Sequence, residues 1–392
     1  MQTKPNMKIA MIGQKGIPAI YGGVERHVED LSRELAKQGH DVLVYARAWY
    51  TSKALKNYHG VRIIHTPTIH TKHLDTISHT FTATLNALGQ NCDVIHYHGV
   101  GPALLAWIPR IFSPRTKVVV TFHCIDRYHQ KWGVIAKFML ALGEKAACTF
   151  AHQTIAVSKT IQSYCLNEYH TKVEYIPNGV VVAKNTGANL LEKYNLVPNK
   201  YILMVSRLVR HKGAHYLLEA WQMARAQNPE LLKNYKLAMV GGSTFTDDYI
   251  KELHHIARGD KSIVFTDWLH GQILEETYAN CALYINPSEN EGMPITVLQA
   301  MAYGKPVLLS DIPEHQELIS DRNFLFRNAS IVDLAEKITT LIKDENLRAI
   351  AGTENKALAK KSFNWTNLSK QTLAVYTAKE KIKLARLKTV RV

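Results

Sequence analysis

Short apolar runs separated by helix-length segments recur along the whole chain, and this alternation limits the fold more than any other feature. In the first half, residues 7–13, 41–45, 61–64, 93–97, 117–122, 153–157 and 172–176 read as strands. Several are nearly continuous in Val, Ile and Leu, as strands buried on both faces require. Between them, apolar residues recur at spacings of three and four, as in Val24, Val28, Leu31 and Leu35, and residues 80–88 and 135–150 read as helices. Pro177-Asn178-Gly179 and the polar residues 184–199 interrupt the pattern, which then restarts with strands at 201–205, 236–240, 263–265 and 282–285. Helices are expected at 214–226, 248–257, 274–279, 331–342, 347–359 and 366–387. Such alternation implies an α/β chain of parallel sheets with helices on both faces. We expect domains at 1–180 and 200–365, a linker at 181–199, and a C-terminal helix and tail at 366–392. Two doubly wound, Rossmann-like domains would face each other across a cleft.

Composition narrows the partners. With 46% hydrophobic and 21% charged residues among 392, the chain suits two globular cores. No apolar run approaches the ~20 residues of a membrane span, and the polar N-terminus gives no sign of a secretory leader. Five scattered cysteines without a C-x-x-C pair suit reduced thiols and a cytoplasmic location. A net charge of +15 favours anionic partners. Neither an aromatic-interleaved RNA signature nor zinc-finger spacing is present, so nucleic acid is not expected. The tail 379–391, with six basic residues and one acid, and residues 128–137 offer contact with an anionic membrane surface.

Residues 286–307 (N-P-S-E-N-E-G-M-P-I-T-V-L-Q-A-M-A-Y-G-K-P-V) read as a strand end, a turn holding Glu289 and Glu291, a helix and a further strand. Pro294 suits the first helical position. A helix N-terminus binds phosphate, and a carboxylate beside it can accept bonds from sugar hydroxyls. Taken alone, the stretch equally fits an ordinary βα turn with solvated acids. Gly22-Gly23 place bare amides at another helix start, without the spacing of a dinucleotide fingerprint. Arg207 and Lys212 leave one strand end on one loop, within reach of a single anion. His123 follows a strand end, where catalytic groups of open α/β sheets gather. His96 and His98 are read as facing alternate sides of their strand, and so not as a metal pair.

These residues resemble the family 4 retaining glycosyltransferases of the GT-B fold. The resemblance rests on G-G-V-E (22–25), V-T-F-H (120–123), I-A-V-S (155–158), Y-I-P-N-G-V (175–180), V-S-R-L-V-R-H-K-G (205–213) and the stretch 287–307. It implies that the last helix packs back on the N-terminal domain and that a nucleotide-sugar donor binds the C-terminal domain. Arg207 and Lys212 would hold its diphosphate and Glu291 its sugar, while Gly292, Met293, Pro294, Ile295 and Thr296 would supply phosphate-binding backbone. Gly22 and Gly23 would approach the diphosphate or sugar, His123 the transferring sugar, and residues 267–269, with Leu269, the nucleobase. The family's second glutamate is here Gln299, and its usual Asp after P-N-G-V is Val181. The opening I-G-Q-K-G-I-P-A-I-Y-G-G-V-E is similar to a subgroup that includes bacterial rhamnosyltransferases building surface polysaccharide.

The resemblance thus implies transfer of a hexosyl or deoxyhexosyl group to a saccharide or lipid-linked acceptor, on the inner face of the cell membrane. The acceptor would meet residues 15–26 and His123. His123, Glu291, Arg207 and Lys212 would carry the reaction. No D-x-D sequence occurs, so no metal or other cofactor is expected. A nucleotide-sugar epimerase of the same fold and a non-catalytic nucleotide-sugar-binding scaffold are the alternatives.

Overall fold

The computed structural model describes residues 6–71, 74–125, 127, 133–181, 187–243 and 246–378. The first half runs β1 (Lys8–Ile12), α1 (Gly23–Lys37), β2 (Asp41–Ala46), β3 (Asn57–Tyr58), β4 (Val61–His65), α2 (Asp75–Gly89), β5 (Val94–His98), α3 (Val100–Ala103) and α4 (Trp107–Phe112). It continues with β6 (Lys117–Phe122), α5 (Val134–Thr149), β7 (Gln153–Ala156), α6 (Lys159–Tyr169) and β8 (Glu174–Tyr175). The second half holds β9 (Tyr201–Val205), α7 (Ala214–Gln227), α8 (Pro229–Leu232), β10 (Lys236–Val240), α9 (Asp247–Ala257), β11 (Ile263–Phe265), α10 (Gly271–Ala279) and β12 (Leu283–Asn286). It closes with α11 (Ile295–Ala302), β13 (Val307–Ser310), α12 (Pro313–Gln316), β14 (Leu325–Phe326), α13 (Ile331–Lys343), α14 (Glu345–Ser362) and α15 (Trp365–Thr377).

The strands form two sheets, ordered β3-β4-β2-β1-β5-β6-β7-β8 and β11-β10-β9-β12-β13-β14. All neighbours are parallel except the antiparallel pair β3 and β4. The fold is therefore α/β with two parallel sheets, as the alternation predicts. Side chains alternate across the first sheet: Ile9 and Met11 pack on one face, Ala10 and Ile12 on the other.

The same period corrects the expectation for β5. Ile95 and Tyr97 share one face, so His96 and His98, two residues apart, share the other. Their ring centroids lie 4.1 Å apart.

The last helix packs back on the first half. Trp365, Leu368, Leu373, Val375 and Tyr376 join a core that includes Ile9, Met11, Val28, Leu31 and Val44. Gln38 Nε2 donates to Ser369 Oγ at 2.9 Å, and Tyr376 hydroxyl meets His96 Nδ1 at 2.8 Å. The described helix ends at Thr377, so the expected continuation to 387 and the basic tail lie outside the described residues, as do residues 128–132. Among the described residues no helix is long and apolar enough to cross a membrane. No disulfide joins the five cysteines.

Candidate active site

The loops after β1, β6, β9 and β12 leave the C-terminal ends of their strands and meet in one cleft of about 1250 Å³. Its walls include His123, Gly22 and Gly23 from the first half, and Arg207, Lys212, Leu269 and Gln299 from the second. Glu291, Gly292, Met293, Pro294, Ile295 and Thr296 line it as well, so every residue expected to meet the donor faces this space, whereas Glu289 accepts from the Tyr216 hydroxyl at 3.0 Å and does not.

The turn before α11 is built around Glu291. Ser288 backbone N–H donates to Asn286 Oδ1 at 3.1 Å, an Asx turn that fixes the chain after β12. Lys212 Nζ lies 2.6 Å from Glu291 Oε1, and Ser288 Oγ donates to the same oxygen at 2.8 Å. Burial alone would push this carboxyl up. The Lys212 charge, His315 and the two hydrogen bonds outweigh burial and bring it down to about 2. The reading as a solvated turn acid is thereby excluded for Glu291. The helix begins one residue later than Pro294: that residue, with φ −75° and ψ 104°, is its N-cap and Ile295 its first residue.

Two glycines permit the close approaches. A Cβ on Gly292 would fall 1.7 Å from the His123 carbonyl oxygen, so only glycine lets this turn touch the first half. Gly213 has φ +70° and would bring a Cβ to 2.1 Å from the Pro287 carbonyl oxygen. It closes the loop bearing Arg207 and Lys212 against the Glu291 turn. Lys212 is thus already paired to Glu291, whereas no anionic group faces the Arg207 guanidinium among the described residues.

On the opposite wall, Gly22 is the N-cap of α1 with φ 106°. Glu25 Oε1 accepts from the Lys15 backbone N–H at 3.0 Å and lies 3.6 Å from Lys15 Nζ. Arg47, 2% exposed, pairs with Asp75 at 3.2 Å, while its Nε and Nη2 have no partner. Tyr21 stacks on Trp268 at 5.3 Å, joining the two halves beside Leu269. Sequence reasoning missed Arg47 and His27, set His98 aside on a wrong face assignment, and covered Trp268 only within the stretch 267–269 expected near the nucleobase. No local motif marks Arg47 or His27, since each gains its place through residues distant in sequence.

The histidines form a cluster. His98 Nδ1 lies 3.2 Å from His123 Nε2, and His27 packs edge-on against His123 at 4.7 Å. His27 Nδ1 meets Asn178 Oδ1 at 2.8 Å, and Asn178 Nδ2 donates to the Met293 carbonyl at 2.8 Å, across the cleft. Burial pushes the His27 imidazole down to about 4 and those of His98 and His123 well below the ordinary 6.5. All three are neutral at pH 7 and present acceptor nitrogens rather than charge.

Five cations line the cleft (Lys15, Arg26, Arg47, Arg207 and Lys212) against the carboxylates Glu25 and Glu291. This excess suits a multiply charged anion next to hydroxyl-binding groups.

Comparison with known proteins gives the following. The family model described as Glycosyltransferase Family 4 matches residues 21–184, and that described as Glycosyl transferases group 1 matches residues 189–358. An uncharacterized glycosyltransferase of Methanocaldococcus jannaschii is 25% identical, over 94% of this chain and 98% of its own. The O-antigen chain mannosyltransferase B of Escherichia coli is 27% identical over 71% of this chain and 73% of its own. Among solved structures, HepE of Anabaena in complex with UDP and glucose superposes with a TM-score of 0.78 at 22% identity, covering 94% of this chain and 99% of that one.

Proposed function

Because the chain belongs to the family 4-like glycosyltransferases of the GT-B fold, we propose that it transfers a hexosyl or deoxyhexosyl group from a nucleoside-diphosphate sugar, with retention. The observation that carries this reading is the single cleft in which Arg207, Lys212 and the N-terminus of α11 face His123 across the Glu291 turn. The donor diphosphate takes Arg207, Lys212 and the amides of 293–296, its sugar meets Glu291, and its base rests near Leu269.

As the glycosidic bond breaks, negative charge grows on the leaving diphosphate. Preorganised cations and helix amides stabilise that charge without reorganising. The leaving phosphate oxygen takes the acceptor hydroxyl's proton, and the hydroxyl attacks from the same face. His123, neutral, accepts hydrogen bonds from the sugar and does not act as a charged group. Protein cations fill the place of a bridging metal, so EDTA leaves turnover unchanged.

The acceptor is a saccharide or lipid-linked saccharide of surface polysaccharide synthesis, handled at the cytoplasmic membrane face. The E. coli relative's name supports this class, and so does α5. Its first half exposes Val134 (85%), Ile135 (81%) and Phe138 (62%), while Val134, Ile135 and Met139 also line the cleft. An apolar ramp at the cleft mouth suits a lipid tail. Flotation with anionic vesicles checks this, and absence of binding at low salt removes the membrane.

Gln299, at the cleft wall where the family has glutamate, supports a second reading as a nucleotide-sugar-binding scaffold. A thermal-shift screen with UDP, GDP, dTDP and ADP, without metal, separates the two when followed by turnover. A ligand at ~100 times its Kd adds about 2.7 kcal/mol. A shift with one base and turnover with its sugar supports transfer. A shift without turnover favours the scaffold, and donor consumption without acceptor identifies an epimerase.

A further inference from the structure

We propose that His27, His98 and His123 form a binding site for a borderline divalent cation such as Zn²⁺, and that its occupancy switches the cleft off. One ring nitrogen from each lies within 4.8 Å of the other two. Hydrogen bonding has already settled two of the three tautomers. Asn178 Nδ2 is committed to the Met293 carbonyl, so Asn178 Oδ1 faces His27 and His27 Nδ1 carries the proton. His27 Nε2 is then a bare lone pair, on a side chain 4% exposed and with no partner. His98 Nε2 sits 3.4 Å from the Met11 sulfur, which can only accept, so His98 Nδ1 is the second lone pair.

That nitrogen lies 3.2 Å from His123 Nε2. Without an ion, His123 Nε2 donates its proton to His98. With one, that proton moves to His123 Nδ1 and a third lone pair joins the set. Zinc bonds to imidazole of about 2.0–2.1 Å space tetrahedral ligands roughly 3.4 Å apart, so the His98–His123 pair already fits and His27 has at most about 1.4 Å to close.

Three neutral imidazoles select Zn²⁺, Co²⁺ or Ni²⁺ over Mg²⁺. Asn178 serves as the outer partner that orients a ligating His. His98 and His123 line the cleft, so the ion enters from there and keeps a fourth position open toward it. It would withdraw His123 from the sugar. This inhibition rests on the transferase reading, while binding itself does not.

The test titrates chelator-treated protein with Co²⁺, followed by displacement with Zn²⁺. The expected result is one equivalent showing the visible absorption of four-coordinate Co²⁺. Affinity should fall at least about tenfold in His98→Gln and in Asn178→Ala. The exposed His59→Gln serves as the control and should bind normally. Circular dichroism establishes folding of each variant, and Asn178→Ala keeps the proposal testable should His98→Gln misfold. Absence of the band, or a band indifferent to both substitutions, overturns the site. Co²⁺ binding without loss of donor turnover overturns the switch and leaves the site standing.

Discussion

Lys212 and Glu291 are read as two functional residues on separate loops, yet they act as one unit. The carboxylate is held ionised by the ammonium, and both side chains are nearly buried. Lys212→Met removes the cation and strands Glu291 in a desolvated turn. Turnover, measured as kcat/KM with the donor found by screening, is expected to fall about a hundredfold or more. Glu291 also ties stability to pH. Its folded value of about 2 lies below the ordinary 4.5, so the folded state favours the ionised form. That contribution is complete above pH 4.5 and is lost as pH falls toward 2. Urea midpoints should therefore drop more steeply over that window for the wild type than for Glu291→Gln. Equal slopes would remove the ion pair from the account.

At the scale of elements, the site depends on how turns abut. The turn ahead of α11 touches the loop after β6 through Gly292, where a methyl group would overlap the His123 carbonyl. Gly292→Ala should therefore lower Tm and weaken the nucleotide-induced thermal shift together. Gly23→Ala is the contrast: its Cβ has 4.0 Å of clearance to Ile295 Cδ1, and its place at the start of α1 accepts alanine. Its Tm should match or exceed that of the wild type. A fall in Tm with Gly23→Ala and none with Gly292→Ala would reverse this picture of the packing.

For the whole molecule, α15 is the clamp. It follows the second half in sequence but completes the first half's core, so the chain crosses between halves twice, at residues 180–200 and again near Asn364. Val180 pairs with Asn364 where the crossings meet. Leu368 is 1% exposed inside that core. Leu368→Ala should cost about 2–5 kcal/mol in denaturant unfolding, as a cavity opened in a packed interior does. A loss well under 1 kcal/mol would mean that α15 contributes little to the first half.

The strands, the main helices and the two-sheet α/β class were legible in the sequence, because burial on both faces dictates apolar runs whose period shows locally. The site loops were legible too, since turn glycines and paired cations must follow strand ends closely. Local sequence alone did not show which side chains meet across distance. Tyr21 against Trp268, Asn178 between His27 and Met293, and the His98–His123 contact each join residues far apart in the chain. The error over His96 and His98 was of another kind, a misapplied period of two. Spacing along a strand decides which face a residue takes. What stands opposite that face is set by packing of the whole chain, and here it places three imidazoles in one corner of the cleft.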